Sequence, residues 1–312
     1  MSEQEQSAIF CADIGGSFVK FGVFKGSGEI IFLTKRPIPS DSWEAFVHLL
    51  AALLDEYAKD YPEGCPLAIS TAGIINKHYD HVFAGNIPAF GDHQFCQELS
   101  AFLHRPVVVA NDADCFTLAE ATMGQAKGHS IVFGAILGTG VGGSLVIDQR
   151  IIQGTTGMTG EWGHSPITQT QLKVRDQVID LPRLPCSCGQ VGCLDTYGGA
   201  RGIERLYQMI TGQIKSSRDI VSDWHRRESG ATETIDCWLA IVREPMAFVI
   251  NLLGASIVVV GGGLASDHQL VGALDRQVRP LLLANTSKSI VVPGEYHQNG
   301  GLLGAAIYAS QQ

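Results

Sequence analysis

Residues 130–148 read SIVFGAILGTGVGGSLVID. An apolar run of strand length ends at Leu137, glycines crowd positions 138 to 143, and a second apolar run follows. That is strand, glycine turn, strand. Residues 8–24, AIFCADIGGSFVKFGVF, have the same layout: a strand to Asp13, a Gly15-Gly16 turn, then a second strand. Two copies of one unit suggest two related halves facing one another. Any glycine-turned hairpin has this layout too, so the repeat alone leaves both readings open.

The intervening segments fit an α/β chain. After the first hairpin come a third strand, IIFLTKR, and a helix from Ser42 to Tyr61 with Phe46, Leu49, Leu50, Leu53 and Leu54 at helical spacing. PLAIST and PVVVAND read as buried strands, with helices over 93–103 and 113–123. In the second half, 168–184 is a polar insertion without period. Helices are expected over 203–209, over 234–253 with a kink at Pro245, over 269–283 and over 300–310. SIVVVGGG and SIVVP add two strands. The expected domains are a small N-terminal lobe, 1–115 plus 299–312, and a large lobe, 116–298, with a cleft between them.

Composition narrows the function classes. The 312 residues are 45% apolar and 17% charged, with a net charge of −9. No Lys/Arg stripe marks a nucleic-acid surface. The polar, acidic start MSEQEQ lacks the basic region of a secretory signal. Residues 246–260 contain Asn251 and Gly254, and read as helix end, turn and strand rather than a membrane span. The chain is therefore expected in the cytoplasm, where thiols stay reduced.

That expectation frames PCSCGQVGC, residues 185–193, and EWGH, residues 161–164. Cys186, Cys188 and Cys193 with His164 make a Cys₃His set, a common composition of structural zinc with no open coordination position. Gly189 and Gly192 let the loop fold back. The other cysteines, Cys11, Cys65, Cys96, Cys115 and Cys237, stand singly in apolar context and read as small core residues.

Four further motifs could carry chemistry, three of them with two readings each. Asp13-Ile-Gly-Gly-Ser17 is either a phosphate-facing turn, with Asp13 near Mg²⁺, or an ordinary type I′ hairpin turn. Gly138-Thr139-Gly140 is not a P-loop, since no Lys-Ser/Thr follows, and it does not open a helix as a dinucleotide fingerprint does. Its amides and Thr139 suit an anion. Gly261-Gly262-Gly263 offers side-chain-free backbone to a flat ligand such as adenine, or is a closely packed strand-to-helix turn. Asn111-Asp112 ends a buried strand, where carboxylates often face a site, although Asp at a helix start also serves as a cap.

Together DIGGS, ANDAD, ILGTGVGG, TGEWGH, CSCGQVGCLD and VVVGGGL resemble the ROK family of bacterial sugar kinases and related repressors, over nearly the whole chain. The resemblance implies an actin/hexokinase-like, ribonuclease H-like two-lobed ATPase fold. NIPAF, NDADCFTLAEA and the insertion before Cys186 look most like the N-acetylglucosamine kinase branch. N-acetylmannosamine, glucose, fructose and allose kinases share the motifs. By resemblance, Asp112 is the base toward the sugar's 6-hydroxyl. Gly73, Asn86, Asn111, Asp112, Glu161, His164 and Asp195 meet the sugar. Asp13, Gly15, Gly16, Ser17, Lys20, Gly138, Thr139, Gly140, Gly262 and Gly263 lie on the ATP and Mg²⁺ side. A homodimer is also implied. Family repressors carry a DNA-binding module before DxGG; about a dozen residues precede Asp13 here, too few for that module, which favours an enzyme over a sugar-binding regulator, while Phe18 leaves a non-catalytic sugar sensor as the alternative. Three positions depart from the family pattern: Phe18 replaces Lys in DxGGTK, with Lys20 left to supply charge; Asp114 replaces Asn in NDAN; Asp195 replaces Glu in GCxE.

Overall fold

The computed structural model of the chain describes residues 8–26, 28–174, 177–284 and 286–312. The readings of MSEQEQ, of Ser27 in the first loop and of residues 175–176 in the insertion lie outside the described residues. The chain divides into two compact units, 1–119 with 150–159 and 298–312, and 120–149 with 160–297. Residues 150–159, placed with the large lobe from sequence, group with the first unit.

In the first unit, β1 (Ile9–Ile14), β2 (Phe18–Lys25) and β3 (Glu29–Pro37) form the antiparallel meander. Then come α1 (Trp43–Tyr57), β4 (Leu67–Thr71), a small hairpin of β5 (Ile74–Asn76) and β6 (His81–Phe83), α2 (Phe95–Leu103), β7 (Val107–Asn111) and α3 (Asp112–Thr122). The sheet order is β3-β2-β1-β4-β7, with β1, β4 and β7 parallel. Ser42 caps α1 by accepting from the Ala45 amide. That helix buries Phe46, Leu50, Leu53 and Leu54.

The second unit repeats the plan. β8 (Ile131–Leu137) and β9 (Val141–Ile147) are the antiparallel hairpin; a two-residue strand, β10 (Arg150–Ile151), follows β9 in sequence. Next are β11 (Gln171–Val174), β12 (Gln177–Asp180), α4 (Asp195–Gly198), α5 (Ala200–Thr211), α6 (Ser217–His225), α7 (Ser229–Leu253), β13 (Ile257–Gly261), α8 (His268–Val278) and β14 (Val291–Pro293). Here β9, β8, β13 and β14 lie in that order, the last three parallel. An antiparallel hairpin extended by parallel strands thus occurs in each unit, as the repeated glycine turn suggests.

Three expectations need correction. The insertion is not irregular throughout, because 171–174 pairs with 177–180 as a short hairpin. Polar side chains hide its alternation. The 217–225 helix is an addition to the sequence expectation, since polar residues fill most of it. The 269–283 helix ends at Val278 and passes into a 3-10 turn before Leu282. The helix around Pro245 continues to Leu253, where Gly254 at φ 65° closes it before β13. Among the described residues no helix is long and apolar enough to cross a membrane.

The last helix, α9 (Gly300–Ser310), belongs to the first unit. It is apolar all round, as a fully buried helix must be. Gly304 presses so closely on α3 that a Cβ there would overlap the Cys115 carbonyl oxygen. Replacing Gly304 with Ala should cost about 3 kcal/mol or more through backbone displacement. Thermal denaturation checks this, and an unchanged midpoint would show that the two helices can separate at no cost.

Candidate active site and metal centre

In the first unit, parallel strands end together and bring polar residues to one edge. Asp13 pairs in register with Ser70, and Thr71 with Asn111. The Ser70 hydroxyl donates to Asp13 Oδ1 at 2.9 Å. Lys20, opposite Asp13 on β2, places its ammonium 3.3 Å from Oδ2 and donates to the Gln298 carbonyl at 2.7 Å. Lys20 thus provides a positive charge beside Asp13. Phe18 is 44% exposed instead, with the Lys35 ammonium 4.2 Å from its ring centroid. The turn after β1 is not type I′: that turn needs positive φ at both central residues, and neither Gly15 nor Gly16 has it. Gly16 faces the Asn86 side-chain amide, so a Cβ there would strike it.

Asn111 performs the capping role that a helix-start Asp112 suggests. Its Oδ1 accepts from the Ala113 and Asp114 amides at 2.8 and 3.3 Å, while its Nδ2 donates to the Gly73 carbonyl at 2.9 Å. Asp112 Oδ1 also accepts from the Ala113 amide at 2.9 Å. Asp112 as a residue is exposed, but the protein packed around its carboxyl disfavours the charged form. Its carboxyl is raised from its ordinary value chiefly by desolvation from the protein packed around it, with the Ala113 amide opposing the shift and the negative charge of Asp13 adding to it. Asp114 is buried in the first turn of α3. Sequence reasoning missed Ser70, because its approach to Asp13 depends on the parallel pairing of β1 and β4.

In the second unit, the Gly138 amide donates to the Gly140 carbonyl at 3.0 Å and closes the β8–β9 turn. Gly262, at φ 83°, lies against the backbone of Leu137 and Gly138. The turn and the GGG segment are therefore neighbours. Glu161, Trp162, Gly163 and His164 form a short 3-10 turn pinned to β9, with Trp162 Nε1 donating to the Gly142 carbonyl at 2.6 Å.

The metal set comes together as its composition suggests. His164, Cys186, Cys188 and Cys193 place one donor atom each within 4.8 Å of one another. Cys186 Sγ is 3.6 Å from His164 Nδ1, and Cys188 Sγ is 3.6 Å from Cys193 Sγ. A tetrahedral zinc with usual bond lengths separates such donors by ~3.5–3.8 Å, so the donor set fits that ion. Gly189 and Gly192, at φ 88° and 82°, make the left-handed turns that fold Cys186 and Cys193 together. His164 Nε2 faces Glu161 Oε2 at 3.6 Å. Asp195, read as a sugar contact, accepts the Val141 amide on Oδ1 at 2.7 Å.

Comparison with known proteins gives the class of molecule. A ROK crystal structure, the hexokinase from Thermus thermophilus, superposes with a TM-score of 0.81 at 25% identity, covering 97% of this chain and 98% of that one. The ROK family glucokinase from Streptomyces griseus, solved with glucose and AMPPNP, gives a TM-score of 0.77 at 23% identity over 98% and 100% of the two chains. The fold is the hexokinase-like, two-lobed fold of sugar phosphotransferases.

The ROK family sequence profile matches residues 9–312, and the chain belongs to that family. It is an ATP-dependent sugar kinase. The N-acetyl-D-glucosamine kinase of Pectobacterium atrosepticum is 29% identical over 295 residues, covering 95% of this chain and 96% of the relative.

Proposed function

We propose that the chain transfers the γ-phosphoryl group of ATP to the 6-hydroxyl of N-acetyl-D-glucosamine. The observation that carries this reading is Asp112, a carboxylate that opens α3 directly after β7, at the strand-end cluster of Asp13, Ser70 and Asn111. The amino-sugar choice is supported by the relative from Pectobacterium atrosepticum.

In this reading Asp112 takes the hydroxyl proton as the sugar oxygen forms its bond to phosphorus and the bond to the ADP oxygen breaks. A raised pKa suits that task, because the base must hold the proton it receives. Asn86, Asn111, Glu161 and His164 orient the sugar, with the Gly73 carbonyl steadying Asn111. Asp13 is the carboxylate suited to Mg²⁺, which sugar kinases use to neutralise phosphate charge. Gly15, Gly16, Ser17, Lys20, Gly138, Thr139 and Gly140 receive the phosphates, and Gly262 and Gly263 the adenosine. The Cys₃His set holds a structural zinc that braces the Glu161–His164 turn. A cytoplasmic homodimer completes the proposal, and mass measurement in solution checks that state.

A second reading is a kinase for another hexose, favoured by the solved relatives named for hexokinase and glucokinase activity. A competitive turnover assay with N-acetylglucosamine, N-acetylmannosamine, glucose, fructose and allose separates them. Highest kcat/KM for N-acetylglucosamine is expected, with ³¹P NMR placing the phosphate on the 6-oxygen. Preference for any other sugar refutes the amino-sugar assignment. Tight sugar binding without nucleotide binding would instead indicate a sensor.

A further inference from the structure

We propose that Asp195 is a positioning residue that clasps the glycine turn at 138–141 to the metal module, rather than a ligand of the sugar. The inference rests on the reading that this turn receives the nucleotide phosphates.

Asp195 stands at the start of α4, two residues after the ligand Cys193. Its Oδ1 accepts the Val141 amide at 2.7 Å, a charge-assisted bond to the residue that leaves the turn. Gly140 has no side chain, and that space admits the carboxylate, since a Cβ there would overlap Oδ1. The other oxygen, Oδ2, lies 4.0 Å from Cys186 Sγ. One short side chain therefore spans from the turn to the metal ligands.

The backbone beyond Asp195 repeats the attachment. The Ala200 amide donates to the Gly138 carbonyl at 2.8 Å, and the Arg201 amide to the Thr139 carbonyl at 3.4 Å. Gly199 packs so closely that a Cβ would come 2.6 Å from the Thr139 carbonyl oxygen. On the other side, the Leu194 amide donates to the Ser165 carbonyl at 2.8 Å, joining this segment to the residue after His164. Residues 193–201 are thus a strut from the metal ligands to the turn.

An Asp in place of the longer Glu has a physical meaning here. A carboxylate held by the Val141 amide and seated over Gly140 is committed to the turn. The metal would then act on both substrates, on the sugar through Glu161 and His164 and on the nucleotide through Asp195.

The test measures binding of GlcNAc and of a non-hydrolysable ATP analogue separately by calorimetry, on wild type, Asp195→Ala, Asp195→Asn and Thr139→Ala. Asp195→Ala should weaken the nucleotide about 10-fold, the effect of losing one charge-assisted hydrogen bond, and leave the sugar within about 2-fold. Asp195→Asn keeps an acceptor for Val141 and should recover most of the loss. Hydrogen exchange across 138–141 should rise in Asp195→Ala, and in wild type stripped of metal, whether or not either turns over. Weakened sugar binding with intact nucleotide binding overturns the proposal and returns Asp195 to the sugar. If Thr139→Ala weakens the nucleotide and Asp195→Ala does not, the clasp alone is wrong. If neither does, the assignment of the turn to phosphate falls, and the proposal with it.

Discussion

Asp112→Asn should lower kcat by at least ~100-fold, within the usual contribution of a positioned general base. The dissociation constants for sugar and nucleotide should stay within a few-fold, because the amide keeps the size of the carboxylate and its acceptor for Ala113. The pH profile gives an independent check. Asp112 works deprotonated, and its carboxyl is raised by burial and by the charge of Asp13. In wild type, kcat should therefore rise with pH through a value above that of an ordinary aspartate. That limb should vanish in Asp112→Asn. The same group has the opposite effect on stability. A carboxyl with a higher pKa in the folded than in the unfolded state favours folding as pH falls through the raised value. Activity and the Asp112 share of stability should move in opposite directions there. A variant that keeps most of its turnover with every accepted sugar would remove Asp112 from the chemistry.

Removal of the metal should have the second large effect. The native protein should hold close to one equivalent of zinc, and Cys188→Ser less than about half an equivalent. Stripping should weaken the sugar by more than ~10-fold, because the His164 turn loses the bond that fixes its ring. Thermal stability should fall with it, since metal bound to the native form alone adds its binding free energy to folding. Wild-type protein without stoichiometric metal, or Cys188→Ser with unchanged melting and sugar affinity, would overturn the metal centre.

Much of the fold was legible because its strands are short, apolar and ended by glycine or polar pairs. Runs such as IVVVG at 257–261 admit few other readings, and Ser42 announces its helix. The metal set was legible from composition, since three thiols within eight residues together with a nearby His make up a common zinc-ligand set. Contacts between distant segments were not. Ser70 meets Asp13 only through parallel pairing of β1 and β4, which no local pattern reveals. The sugar contact read for Asp195 comes from the resemblance, which supplies a role and no geometry; its bond to Val141 depends on how α4 docks against β9. The helix at 217–225 and the hairpin at 171–180 escaped because half their positions face water and carry polar residues.

The burial of α9 sets an order of events during synthesis. This helix fills a face of β1 and β4, near the other end of the sequence. Gln298, just before it, accepts from Lys20, and Gly301 abuts the Asp13 carboxylate. A growing chain on the ribosome must carry β1 and β4 with that face open while the whole of 120–297 is made. Such delayed closure leaves apolar surface unprotected and slows assembly. The strand that presents Asp13 is translated well before α9, yet its surroundings are completed only when that helix emerges.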